Sequence, residues 1–222
     1  MSRQLGVQDA TEEILSNPVT FFSEAFAPVD SQGVRYTERI LVVILGFFAL
    51  EVSLSVLYNA GSTYNLVSYF FKNHPWLVWP VAPFLHRGIG HFAANVAFIY
   101  IAAPVETRMS KVQYVGLLLF SGFLAVYADG LKLAVFGSEP HVAAYGASGF
   151  AFGLLGYGLS SIADTDWQLT PRWWLIVACG ISAILLVIKN SLLAVSDPIS
   201  LNIGHLGGLL VGLLFGHFGR AD

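Results

Sequence analysis

The chain has 222 residues, 55% of them hydrophobic and 11% charged, and a net charge of -3. Soluble domains carry about 25% charged residues, and a soluble fold of this length has too little interior to hide so much apolar surface. With a mean hydropathy of +0.67, the composition is that of a chain whose solvent is lipid. The same numbers exclude intrinsic disorder. An acidic balance with no basic stripe argues against a nucleic-acid partner. The one cysteine, Cys179, excludes an intramolecular disulfide and a cysteine metal cluster.

Residues 1–38 carry Asp9, Glu12, Glu13, Glu24 and Asp30 and no continuous apolar run, so they do not read as a cleaved signal peptide. They are expected to form an N-terminal cytoplasmic segment with a short helix around Asp9 to Leu15, ahead of a membrane domain over 39–222. Six apolar runs follow, near 40–58, 91–105, 114–136, 146–163, 173–193 and 201–218. A helix needs about 20 residues to cross the hydrocarbon. The second, fourth and sixth runs are at or below that length, so their ends must lie in protein or in a wet cavity. The fold expected is an all-α integral membrane bundle of six transmembrane helices.

The basic residues set an orientation. With the N-terminus inside, Arg3, Arg35, Arg39, Arg108, Lys111, Arg172 and Arg220 are inner, against Lys72, Arg87, Lys132 and Lys189 outside. That modest bias places both termini in the cytoplasm of a cell-membrane protein. The connection from Ala60 to His91 is long for a helix–helix link. It carries Tyr64, Tyr69, Trp76 and Trp79, residues that favour the membrane interface, and reads as a structured loop partly embedded in the outer leaflet.

In this topology the second, fourth and sixth helices all run inward, and each has polar residues at its outer start. His86, His91 and Asn95 mark the second, Ser148 the fourth and His205 the sixth. Each admits a bland reading. Ser148 in Gly146-Ala147-Ser148-Gly149 could be one more small residue at a helix interface, and with Phe150 two places on it is not an α/β-hydrolase elbow. His91 and Asn95, four apart on one face, could be an interhelical clamp; the functional reading is a pair of donors aimed at an oxyanion. Ionisable residues within spans are costly, so His205 is a functional candidate by default. Gly208 and Gly212 share its face and would draw a partner helix close. A zinc site built from His86, His91 and His205 is the sharper rival, but the His-Glu-x-x-His arrangement is absent. No metal and no cofactor is expected. Glu51 reads either as a structural acceptor or as a flank of an access path. Asp129 and Lys132 read as a solvated or interfacial pair, and Glu106 with Arg108 as ties of the inner turn.

His86-x4-His91-x3-Asn95, Gly146-Ala147-Ser148-Gly149 and His205-x2-Gly208-x3-Gly212, in that order, together resemble the rhomboid family of intramembrane serine proteases. Val105-Glu106-Thr107-Arg108 resembles the family's Glu-x-Arg after helix two. The resemblance runs from the first span to the C-terminus. It implies that Ser148 is the nucleophile and His205 its general base, with His91, Asn95 and the Ser148 backbone N–H as the oxyanion hole. It also implies that His86 helps hold the loop and a water-filled pocket. No acidic residue stands at a triad position, so the pair reads as a dyad, acting on single-span transmembrane proteins. Two positions depart from the family: its Trp-Arg before the first histidine is Leu77-Val78 here, and the tyrosine four after the serine is Phe152, whose ring can still pack on His205. Two rivals follow. One is a catalytically inactive rhomboid-like binding or quality-control factor, which would lack the serine or the histidine. The other is a transporter, which would carry polar residues through the full depth of several helices.

Overall fold

The computed structural model describes residues 3–28, 34–136, 145–162, 169–193 and 203–218, with backbone alone over 129–136, 186–193 and at 203. The Asp129–Lys132 pair and Lys189 lie outside the described side chains, and Arg220 lies outside the described residues. The regular structure among the described residues is helical, apart from one isolated bridge between Leu5 and Leu169.

The N-terminal segment holds two helices where the sequence suggested one: α1 (Val7–Ser16) and α2 (Pro18–Ala25). The pair Asn17-Pro18 explains the break. Proline cannot continue a helix but suits the first position of the next, and the Asn17 side chain accepts the Thr20 N–H to cap it. The segment is docked. The buried Arg172 guanidinium donates to the carbonyls of Ala25 and Ala27 at 2.6 and 2.8 Å, and the Trp174 indole donates to Leu5 at 3.0 Å.

Helix α3 (Arg35–Leu57) leads into the long connection, which is built from α4 (Thr63–Asn73), α5 (Pro75–Val78) and a 3-10 turn (Trp79–Phe84). Ser62 caps α4 by accepting the Asn65 N–H. Trp79 fastens the connection: its ring stacks on Tyr127 at 5.5 Å and meets Phe71 edge-on at 5.6 Å. The two positions where the family carries Trp-Arg make no such anchor, Leu77 being exposed and Val78 a small buried filler. Exposed Tyr69, Trp76 and Leu77 give this connection an apolar outer surface.

Helix α6 (Ile89–Ile101) runs into a 3-10 turn (Ala103–Arg108), followed by α7 (Lys111–Phe136), α8 (Ser148–Ser161), α9 (Pro171–Leu193) and α10 (Ile203–Phe218). By length and composition three helical stretches among the described residues can cross a membrane: Arg35–Leu57, Ile89–Arg108 and Lys111–Ala128. Pro171–Leu185 and Gly204–Phe218 are apolar but shorter. Helix α8 is buried along nearly its whole length. A helix so enclosed presents little of its 14-residue backbone to lipid.

Packing around α8 is set by small residues. Its most extensive contact is with α10, then with α7. A Cβ at Gly149 would lie 2.8 Å from the Ala125 Cβ and the Ser121 carbonyl, and one at Gly208 would lie 2.9 Å from the Gly149 carbonyl. At Gly212 it would run into the Gly153 carbonyl. Helices brought this close gain dispersion and shape fit, which in lipid is what holds helices together.

Candidate active site

The polar residues singled out in the sequence converge at one end of the bundle. Ser148 is the first residue of α8, after Ala147 as N-cap. Its backbone N–H therefore belongs to the first turn, where helix donors have no partner within the helix and the dipole is positive. Four residues on, Phe152 shares the Ser148 face. The His205 ring lies against it, centroids 4.5 Å apart. His205 stands in the first turn of α10, three residues before Gly208, whose contact with Gly149 fixes the approach of the two helices. Between the Ser148 hydroxyl and the His205 imidazole no hydrogen bond is formed among the described residues. They are joined through Phe152 and the Gly149–Gly208 contact.

The turn before α8 carries the second half of the site. Gly146 has φ 130°, a conformation that favours glycine. A Cβ there would run into the His91 ring and lie 3.5 Å from the Asn95 Nδ2. The turn thus lies flush against the two side chains read as oxyanion donors, both on α6. Its N–H is held by the Ala82 carbonyl at 3.0 Å, which ties it to the long connection. His86 is fully buried, with its ring 5.4 Å from that of His91 and packed edge-on against Phe48 and Phe92.

Glu51 of α3, left open by the sequence, is an acceptor: its carboxyl oxygens take the His86 N–H at 3.0 and 3.2 Å. It pins the entry to α6. Tyr145 escaped the sequence reading altogether. It is buried beside Phe71 with Arg87 over its ring at 5.7 Å; its only sequence signal was a polar aromatic directly before Gly146.

The buried polar atoms here share one property. Both ring nitrogens of His86, Asn95 Nδ2, the Tyr145 hydroxyl and His205 Nδ1 are buried with no hydrogen-bond partner among the described residues. Unsatisfied buried polar atoms are rare in folded proteins and call for a reason such as catalysis or water. Five of them gather about the Gly146 turn and the heads of α6, α8 and α10.

The far end differs. The Glu106 carboxyl accepts the N–H groups of Tyr36 and Thr37 at 2.8 and 2.7 Å and the Thr37 hydroxyl at 2.7 Å. Since that hydroxyl spends its proton on Glu106, Tyr114 donates to it, at 2.6 Å. Arg108 lies 3.9 Å over the Trp173 ring, reaches Ser161, and offers its carbonyl to the Tyr157 hydroxyl. Glu106 and Arg108 tie the turn after α6 to α3, α8 and α9.

A comparison with curated proteins finds no match. The family model for the rhomboid domain matches residues 72–221, two thirds of the chain, from the end of α4 to beyond α10 and with every site residue from His86 to Gly212 inside it. With its long apolar helices this is a multi-pass membrane protein, and the chain belongs to the rhomboid family.

Proposed function

We propose that the chain is an intramembrane serine endopeptidase that hydrolyses peptide bonds of single-span transmembrane proteins, with Ser148 as nucleophile and His205 as general base. The observation that carries this reading is the seat of His205 on Phe152, one turn along α8 from Ser148 and beside the Gly149–Gly208 contact. A hydroxyl is a weak nucleophile until a base takes its proton, so a serine needs an imidazole on the same face. The tetrahedral intermediate then places negative charge at the head of α8. There the Ser148 N–H, the His91 ring and the Asn95 amide face it, and donors already aimed at developing charge supply the largest catalytic effect. His86 and Glu51 keep the entry to α6 in register with the Gly146 turn. Orientation of the base rests on packing, not on a carboxylate.

In the same proposal the chain crosses the cell membrane six times, with α8, α9 and α10 as the last three spans and both termini, including residues 1–38, in the cytoplasm. The α4–α5 connection lies in the outer leaflet, and the membrane domain spans 39–222.

The test is cleavage of a model transmembrane segment by the purified full chain in liposomes. Wild type cleaves it, while Ser148→Ala and His205→Ala do not. Cleavage by Ser148→Ala at the wild-type rate overturns the assignment. A folded wild type that neither cleaves a panel of such segments nor labels with a fluorophosphonate is the inactive, binding relative instead.

A further inference from the structure

Between α3 and α7 lies an open groove of about 180 Å³ whose floor reaches α8 at Phe150, two residues beyond Ser148. Arg39, Ile40 and Val43 form one wall, Val115 and Leu119 the other, and the buried Phe150 ring closes the floor. Arg39 stands twelve residues before Glu51 on α3, about 18 Å along the helix axis from the level of His86. The groove therefore opens toward the opposite membrane surface. Its lining is apolar except at the mouth. There Arg39 stands one turn before Val43, its guanidinium 5.3 Å over the Tyr36 ring. Lys111 stands one turn before Val115 on the facing helix, and Arg35 one turn before Arg39. Glu38 is the acidic neighbour in the first turn of α3, while Glu106 is occupied by Tyr36 and Thr37. Among the described residues, Arg35, Arg39 and Lys111 form no ion pair.

We propose that this groove binds an anionic phospholipid, with one acyl chain laid between α3 and α7 against Phe150 and the phosphate held by Arg39. An aliphatic slot leading to a cationic rim at a membrane surface matches the two ends of that molecule. Arginine engages phosphate through paired N–H donors, and basic clefts between helices at the interface select anionic headgroups. An acyl chain gains little by moving from bilayer to groove, since both are apolar. Selection between lipids therefore rests on Arg39. The charged mouth at Arg39 lies apart from Ser148, although the floor at Phe150 comes close to it; the inference stands whether or not the chain cleaves anything.

The test uses the full chain in vesicles of equal parts phosphatidylglycerol and phosphatidylcholine, extracted in mild detergent, with retained lipid read by native mass spectrometry. Wild type is expected to keep phosphatidylglycerol in roughly fivefold excess, the weight of one interfacial cation. Arg39→Gln, at an exposed position, should bring the two lipids to parity. Leu119→Trp, which fills the groove from a half-exposed position, should lose both adducts while its circular dichroism stays native. Wild type retaining the two lipids at the vesicle ratio overturns the proposal, as does an Arg39→Gln chain that keeps the excess. Displacement of the lipid by inorganic phosphate assigns the mouth to a free anion instead. A wild-type dimer that Leu119→Trp dissociates assigns the groove to a second copy.

Discussion

The two ends of this helical bundle treat buried polar groups in opposite ways. Around Glu106, three donors meet one carboxyl and a tyrosine completes the chain of bonds. Around Ser148, five buried polar atoms stand without partners among the described residues. A buried polar group left unsatisfied costs about 1–3 kcal/mol, so the second end depends on partners from outside the protein where the first supplies its own. Proteins break local rules of this kind at functional sites and compensate elsewhere. Here the compensation is visible: the Glu106 network and the glycine contacts of α8 hold the frame in which the unsatisfied end persists.

The contrast is sharpest at Ser148. Ser148→Ala is expected to lower cleavage of a transmembrane substrate by at least about a thousandfold, with no change in melting temperature, because among the described residues the serine hydroxyl bonds to nothing that holds the frame. Cleavage kinetics alongside thermal unfolding in detergent check both halves. Asn95→Ala comes next. It should cost about a hundredfold in cleavage, the weight of one oxyanion donor. Its stability should hold or rise, because it removes a buried amide nitrogen that has no partner among the described residues. If stability falls in step with activity, Asn95 is a clamp between helices and belongs with the far end.

Glu106→Gln tests the other side of the comparison. The glutamine carbonyl can accept one set of bonds, but its NH2 turns a donor toward donors at Tyr36 or Thr37. A loss of about 2–3 kcal/mol in stability is expected, with cleavage per folded molecule unchanged. A Glu106→Gln chain that melts like wild type but cleaves poorly would reverse the assignment of the two ends.

Much of this contrast was legible in the sequence. His86, His91, Asn95, Ser148 and His205 sit at the starts of helices that run the same way, so chain direction alone brings them to one depth. Gly208 and Gly212, spaced to share the His205 face, announced the close approach that Gly149 and Gly153 complete. Other features depend on contacts between residues far apart in the chain. Glu51 meets His86 across 35 positions and Glu106 meets Thr37 across 69, and no local period records such pairings. Trp79 took over the anchoring of the long connection because the partner it needs, Tyr127, lies on α7. The second N-terminal helix was hidden by Pro18, which reads as a stop for α1 as readily as a start for α2.

The smallest expected effect lies at Arg108, and it separates charge from shape at the satisfied end. The guanidinium carbon lies 3.9 Å over the Trp173 ring, and one of its nitrogens reaches the hydroxyl and the carbonyl of Ser161 at 3.4 Å. Arg108→Lys keeps the charge but loses the planar fork and the stacking surface. A partly buried cation–π contact contributes about 1 kcal/mol, and much of it should go. The melting temperature should fall by a few degrees, and cleavage per folded molecule should stay put. A lysine that restores full stability would mean that charge alone ties the turn to α9. A lysine that fails as badly as alanine would mean that the stacked plane holds it.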